Sequence, residues 1–383
     1  MNTKVAIWGA GNFGKYVYEQ LKQRADIKVT CFVDKKEENW GKCIDGVEVI
    51  SPQTMVENKP AELVLVAFLN CIKHYEEFAE YKGIKFGFVK NPVFQKQLSL
   101  EKELLQDGNI FWTEDCAKPL LMMLETNVVD WCNLNCKGCS HFSNLYHKGD
   151  MVPYDSFCRD LAQMAQHVNV YRLNLLGGET LLHDRLTEYM EYSRKVLPYA
   201  EIRVITNGLL LLKQNDTFFQ NCKKYNIGID ISEYKPTSAI VDKIEALLQE
   251  QCIAYTVRDN KGDFGKNIDL TGQTDKLWAM QHCRESECHF FRNGKLYKCP
   301  FEVLGNKFFE HYNLDIRLEG GVDIFDPNLD WAEAMCAINY KPVDACKYCG
   351  KEERFEWAVS TQPDMSEWII NNDEILTKEE ATK

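Results

Sequence analysis

Residues 131–142 read WCNLNCKGCSHF, and this stretch decides how the rest of the chain is read. Three residues separate Cys132 from Cys136, and two separate Cys136 from Cys139. Three thiolates at that spacing can hold three irons of a cubane cluster and leave the fourth iron without a protein ligand, a position that a small molecule can take. A structural zinc site competes with this reading, but it needs a fourth ligand and leaves the acid-bearing glycine turn at Gly177, Gly178 and Glu179 unexplained. Around the loop the hydrophobic pattern alternates between strand and helix. TNVVDW leads into the cysteines, DSFCRDLAQMAQH is a helix candidate, and VYRLNLLGGE, EIRVITNG, NIGIDIS and IAYTVR each read as a strand running into a turn. Cys132, Glu179, Asn207, Ser232 and Arg258 all fall just after these strands, and a parallel barrel gathers such positions at its carboxyl end, where chemistry is usually placed.

The cysteine spacing and the L-G-G-E-T turn together resemble the radical S-adenosylmethionine (SAM) superfamily over about residues 123–260. The resemblance implies a central partial (βα)6 barrel. It also implies a [4Fe–4S] cluster on Cys132, Cys136 and Cys139, whose open iron is chelated by SAM before reductive cleavage to a deoxyadenosyl radical. Gly177, Gly178 and Glu179 then match the superfamily's loop for the SAM amino group, and Asn207 and Ser232 its ribose or carboxylate contacts; turn capping and local hydrogen bonding are the plainer roles for these side chains. Two positions depart from the pattern. Gly138 stands where an aromatic often precedes the third cysteine, which leaves adenine packing to His141 or Phe142, and Thr180 stands where proline is frequent. His183 reads as a supporting or structural residue.

Downstream, CRESECHFFRNGKLYKCP (283–300) is followed by CKYCG (346–350). Ten residues separate Cys283 from Gly294, and four separate Gly294 from Cys299. This resembles the twitch/SPASM-like auxiliary domain of radical enzymes, and the resemblance implies a second [4Fe–4S] cluster on Cys283, Cys299, Cys346 and Cys349. Four sulfurs from two segments suit zinc as well, and Cys288 either replaces Cys283 or is a free thiol. The remaining cysteines of the sixteen are scattered, and most of them read as small buried hydrophobes.

The amino-terminal stretch opens as strand, turn and helix, with KVAIWG before G-A-G-N-F-G (Gly9, Gly11, Gly14) and Asp34 twenty residues beyond Gly14 after a second strand. Glycines there permit a tight turn and close approach of an anion to helix amides, and Asp34 can accept from a ribose diol. A Rossmann-like sheet with a bound nucleotide, or the same sheet as a docking module, are the two readings. The expected α/β organisation is 1–97 Rossmann-like, 98–122 connector, 123–275 radical SAM core, 276–357 auxiliary-cluster domain and 358–383 tail. A formal charge of −12 opposes general nucleic-acid binding, and the absence of a long apolar run or signal sequence points to a cytoplasmic protein with no membrane segment.

Two clusters imply electron traffic, with a flavodoxin- or ferredoxin-like donor as partner. A fully ligated second cluster can accept an electron from a substrate radical, so dehydrogenation of a hydroxyl-bearing carbon is the coherent reaction. The Rossmann-like unit tilts the substrate toward a sugar, sugar phosphate or nucleotide-linked sugar, with Arg258 either anchoring an anion or pairing with a carboxylate. A peptide-modifying, thioether-forming enzyme and a non-catalytic iron–sulfur sensor or electron carrier are the alternatives. No acid–base catalytic residue is assigned from the sequence.

Overall fold

The computed structural model describes residues 2–90, 104–106 and 108–370, and the chain divides into two compact units, 1–120 and 121–383. In the first unit, strands β1 (Thr3–Trp8), β2 (Ile27–Val33), β3 (Cys43–Ile44), β4 (Val47–Ile50), β5 (Leu63–Val66), β6 (Phe86–Val89) and β7 (Ile110–Thr113) form one sheet in the order β3-β4-β2-β1-β5-β6-β7. Its interior strands run parallel, and β3 and β7 close the edges antiparallel. The apolar runs LVLV and FGFV of β5 and β6 are buried throughout, as expected where both faces of a parallel sheet are covered. Helices α1 (Asn12–Leu21) and α2 (Pro52–Asn58) supply the connections, α2 being capped by Ser51 Oγ accepting from the Thr54 amide. Strand β7 falls within the expected 98–122 connector, of which 98–103 and 107 lie outside the described residues.

The second unit is built on an eight-stranded sheet. Its elements in chain order are β8 (Leu120–Leu121), β9 (Leu124–Val129), α3 (Tyr154–His167), β10 (Asn169–Val170), β11 (Arg172–Gly177), α4 (Leu186–Val196), β12 (Glu201–Thr206), α5 (Asp216–Lys224), β13 (Ile227–Glu233), α6 (Lys235–Ser238), α7 (Val241–Glu250) and β14 (Tyr255–Asp259). They continue with β15 (Asp263–Ile268), α8 (Lys276–Gln281), β16 (His289–Arg292), β17 (Lys295–Tyr297), α9 (Phe301–His311), β18 (Val322–Asp323), α10 (Trp331–Tyr340) and β19 (Cys349–Glu356). The sheet order is β14-β13-β12-β11-β9-β16-β17-β18, with β14 through β16 parallel to their neighbours. Six parallel strands are therefore present, but the sixth, β16, returns from the carboxyl-terminal third to pair with the free edge of β9. Among the described residues no ladder joins β14 to β18, so the sheet is open.

This sheet has two unlike faces, and the strand sequences dictate them. Leu173, Leu175, Ile202, Val204, Ile229 and Ile231 point to the helices and are buried in the main core. The alternate positions Glu125, Asn174, Arg203 and Asp230 point the other way and are polar. Period-two alternation in parallel strands marks a sheet whose second face lines something other than a hydrophobic layer.

Candidate active site

Cys132, Cys136 and Cys139 gather in a small apolar shell of Leu134, Leu209, Tyr234, Phe264 and Trp357. Three N–H groups aim at two of the sulfurs: Leu134 N and Asn207 Nδ2 at Cys132 Sγ (3.4 and 3.8 Å), and Trp357 Nε1 at Cys136 Sγ (3.3 Å). Burial pushes the Cys132 thiol up to about 12 and the Cys136 thiol higher still, with each further raised by its neighbouring cysteines. Such a site favours thiolates only when metal supplies the compensating charge, and N–H donors toward sulfur suit thiolate ligands. The loop is held from outside by the segment after β19. Lys137 N donates to Ala358 O (2.8 Å), Ser360 N to Asn135 O (2.8 Å) and Trp368 Nε1 to Cys139 O (2.9 Å). Residues 358–370, expected as the start of a tail, are thus part of the site's wall, while 371–383 lie outside the described residues.

The glycine turn reaches the cysteine loop because it has no side chains to stop it. Gly177 has φ +150°, and a Cβ there would stand 1.9 Å from Val129 O; one on Gly178 would stand 2.1 Å from Trp131 O. Gly178 N and Glu179 N instead donate to those carbonyls at 2.9 and 3.1 Å. Glu179 is fully buried and its carboxylate is a clasp. Oε1 accepts from Thr206 Oγ1 (2.6 Å) and Leu181 N (3.0 Å), and Oε2 from Asn207 N (2.7 Å). Asn207 in turn bonds Asn133 Oδ1 through Nδ2 (2.8 Å), so the ends of β11 and β12 and the cysteine loop form one network. Ser232 lies on β13 opposite Arg258, half-buried. Phe142 is a core member, packing on Phe308 and Trp368, while His141 is partly buried, with Nδ1 3.2 Å from Asn127 Oδ1 and burial holding its imidazole down at about 4. The space beside Gly138 is taken by Phe355, whose ring a Cβ at Gly138 would meet at 2.7 Å. His183 is structural, its Nδ1 accepting from Arg185 N (3.1 Å).

The carboxyl-terminal cysteines converge as well. Burial raises the Cys349 thiol first, then Cys346 and Cys283; Cys299 is raised by burial and then Cys349. Cys288 has its Sγ 3.7 Å from Met123 Sδ, and burial raises its thiol, with Glu125, Glu285 and then Cys283 adding to the rise. Among the described residues no three or more His, Cys, Asp or Glu side chains are placed to hold a single metal ion. Ligands to one ion share its coordination sphere, whereas cubane thiolates bind different irons and stand farther apart. Of the scattered cysteines, Cys31, Cys71, Cys116 and Cys222 are buried, but Cys43, Cys252 and Cys336 are exposed.

Residues 126–249 match the family model described as the Radical SAM superfamily. This segment is a radical SAM domain. Residues 1–78 match a model described as C2185-like, N-terminal. Curated relatives include GTP 3',8-cyclases from Thermodesulfovibrio yellowstonii (24% identity; 28% of this chain, 34% of the relative) and Clostridium perfringens (26%; 35% and 44%). The chain thus spans less than half the length of these relatives. Among solved structures, BtrN in complex with AdoMet and 2-DOIA is similar at 16% identity, over 61% of this chain and 94% of that one, with a TM-score of 0.40. UDP-D-quinovosamine 4-dehydrogenase from Vibrio fischeri is similar over 26% of this chain and 88% of that one, at 19% identity and a TM-score of 0.23.

In the first unit, Gly9 and Gly14 are required by packing: Gly9 has φ +123°, and a Cβ on Gly14 would stand 1.8 Å from Gly9 O. Gly11, at the start of α1, has open space where a Cβ would go. Asp34 is tied to the same turn, accepting from Ala10 N (3.2 Å) and Lys36 N (2.9 Å). Among the described residues no helix is long and apolar enough to cross a membrane.

The inner face of the radical SAM domain carries a charge network that the motif reading missed. Asp230 is nearly fully buried and accepts from Arg172 Nη2 (2.5 Å), Arg258 Nη2 (3.0 Å) and Thr256 Oγ1 (2.6 Å), with Arg203 Nη1 at 3.6 Å. Arg258 therefore pairs with a carboxylate, yet its side chain is 57% exposed. Nearby Glu125, buried, accepts from Asn174 Nδ2 at Oε1 (2.7 Å), and no described residue donates to Oε2. Burial pushes its carboxyl up to about 7, Asn174 and the Arg172 and Arg258 charges pulling it down and Glu285 pushing it up. A side chain held at such a value in a polar face is equipped to take or give a proton near neutrality.

The same burial predicts a pH-dependent stability. Below the ordinary carboxyl value of 4.5 Glu125 is protonated folded or unfolded; between 4.5 and about 7 the folded protein keeps a proton that the unfolded chain releases, so this contribution to stability falls as pH rises. At about 1.36 kcal/mol per pH unit, that interval amounts to roughly 3 kcal/mol. Glu125→Gln should therefore be more stable than the parent in anaerobic denaturant titrations at about pH 8, with most of the gain gone by about pH 5. An advantage of equal size at both pH values would mean that Glu125 is not buried as an acid.

Proposed function

We propose that this chain is a radical SAM dehydrogenase acting on a hydroxyl-bearing carbon of a small, polar, sugar-related molecule. The observation that carries the reading is the inner face, where Glu125, a carboxyl that exchanges its proton near neutrality and serves as base in its carboxylate form, stands within electrostatic range of Arg172 and Arg258. That combination suits a hydroxylated substrate with an anionic group better than an extended peptide, whose backbone asks for neutral donors and acceptors. The curated relatives, named for a cyclase of GTP, support a small molecule too. Cys132, Cys136 and Cys139 would hold a cluster whose electron cleaves SAM into methionine and the deoxyadenosyl radical that takes hydrogen from the carbinol carbon, and Cys283, Cys299, Cys346 and Cys349 would hold a second cluster able to accept the remaining electron.

The chain's own residues supply the rest. Gly177 and Gly178 bring backbone carbonyls toward the SAM amino group, and Glu179, with one more lone pair on Oε2, completes that corner while fixing Asn207 and, through it, the loop. Arg258 orients the substrate's anionic end. Glu125 accepts the hydroxyl proton as the carbon becomes a carbonyl. Asn207 and Ser232 line the approach from the strand ends. The glycine turn at Gly9, Gly11 and Gly14, with Asp34, is the seat proposed for a nucleotide in the first unit, and a flavodoxin- or ferredoxin-like protein is the proposed electron donor.

The test begins with anaerobic, reduced enzyme and SAM in a metabolite extract, to see which molecule is consumed as deoxyadenosine appears. With deuterium on that molecule's carbinol carbon, the label should enter deoxyadenosine and a carbonyl product should form. Variants lacking the second cluster should still transfer deuterium but lose most of the carbonyl product. A product that keeps the alcohol and gains a carbon–sulfur bond would replace this reading with thioether synthesis.

A further inference from the structure

Lys298, immediately before Cys299 on the loop that follows β17, is a buried cation that forms no ion pair with a carboxylate among the described residues. Only 3% of its surface is exposed. Its Nζ donates to Ile338 O (2.5 Å) and Asn339 O (3.3 Å) at the end of α10, and no described residue forms an ion pair with it. Those two carbonyls fix where the ammonium sits. The charged or chargeable groups in its field are the sulfurs of Cys346, Cys299 and Cys283 and, less strongly, Glu302. Glu302 itself is engaged with backbone, Oε2 accepting from Lys298 N (2.9 Å) and Oε1 from Gly321 N (3.2 Å). The neighbouring His289 is likewise spent, with Nδ1 3.1 Å from Lys298 O and Nε2 2.6 Å from Asn339 Oδ1.

A buried charge is expensive unless something nearby compensates it. Neutral thiols cannot compensate an ammonium, but a cubane held by four thiolates is an anion, and it becomes more negative when it takes an electron. A fixed positive charge beside it favours the reduced state, and net charge and surroundings are among the terms that set such potentials.

We propose that Lys298 is a positioning residue that raises the reduction potential of a cluster held by Cys283, Cys299, Cys346 and Cys349, so that this cluster accepts an electron from a substrate radical. The inference rests on the two-cluster reading above. In the step it serves, the deprotonated substrate radical loses one electron and becomes a carbonyl, and the cluster gains that electron; no other reductant or oxidant enters.

The experiment is a redox titration followed by electron paramagnetic resonance on the full chain carrying serine at 132, 136 and 139, reconstituted with iron and sulfide so that only the second cluster remains. Lys298→Met should lower the midpoint potential by at least a tenfold change in the oxidised-to-reduced ratio, 59 mV for one electron. Lys298→Arg, which keeps the charge, should stay nearer the parent, and Glu302→Gln should move the potential upward. If Lys298→Met prevents cluster assembly, the Arg and Gln variants still decide the sign. A parent-like potential in Lys298→Met, or equal shifts in the Met and Arg variants, would overturn the charge role and leave a carbonyl clamp. A serine-substituted parent chain that binds no iron would instead overturn the two-cluster reading, and the proposal with it.

Discussion

Replacing Cys132, Cys136 and Cys139 together by serine should leave about half of the reconstituted iron, the share of a second cubane, and abolish reductive cleavage of SAM. The three side chains share one apolar shell with Trp357, Tyr234 and Leu209, while Cys283, Cys299, Cys346 and Cys349 have one another and Lys298 as electrostatic neighbours. The two sets should therefore fill independently. Serine is close in size to cysteine but is a poor ligand for iron in this setting, so packing is largely preserved while the open-iron site is lost. Iron and sulfide content, with deoxyadenosine measured under a strong reductant, checks the result. Parent-like deoxyadenosine formation in the triple variant would sink the central assignment.

Removing the carboxylate of Asp130 should cost about 3–5 kcal/mol of stability, the usual size when one member of a buried pair is left alone. Asp130 is 3% exposed and receives both arms of Arg292, Nη1 to Oδ1 and Nη2 to Oδ2, each at 2.7 Å, as well as Asn127 Nδ2 at 2.9 Å. Arg292 ends β16, so this fork ties the strand that returns from the carboxyl-terminal third to the residues entering the cysteine loop. Asp130→Ala leaves the guanidinium without its partner in a largely dry place. The double variant Asp130→Leu, Arg292→Leu should lose much less, because it removes both charges at once. Anaerobic denaturant titration of the three proteins reads this out, and a loss below about 1 kcal/mol in Asp130→Ala would place the pair among solvent-screened surface bridges.

The cysteine loop is set by neighbouring residues, whereas the Asp130–Arg292 fork joins segments far apart in the chain. The cysteine loop and the L-G-G-E-T turn are local: ligand spacing and glycine backbone freedom are properties of a dozen consecutive residues, and they named the radical SAM domain from the chain alone. The strands VYRLNLLGGE, EIRVITNG, NIGIDIS and IAYTVR were legible too, since their alternation repeats over short distances. The same alternation held an unread signal, the polar positions Glu125, Arg172, Asn174, Arg203 and Asp230 in strands of a parallel sheet. What those polar side chains face, and that Asp230 gathers Arg172, Arg203 and Arg258, depends on strand register, which no local pattern supplies.

Other decisions belong to the tertiary structure for the same reason. Spacing to Gly294 favours Cys283 and leaves Cys288 open; what each sulfur has beside it, Glu285 and Cys346 for Cys283 and Met123 and Glu125 for Cys288, depends on the path between α8 and β16. Phe355 beside Gly138, and the segment 358–370 over the cysteine loop, lie more than two hundred residues from the motif they complete. Of the two residues adjacent to the loop and so natural candidates for stacking, Phe142 is drawn into the core against Phe308, while His141 sits partly buried beside Asn127. The sequence by itself determined the chemistry that three thiolates and a glycine–acid turn can support, because those are short-range facts of composition and backbone. Which buried groups surround that chemistry, and with what charge, was decided by long-range packing, where each side chain's environment is set by elements far away along the chain.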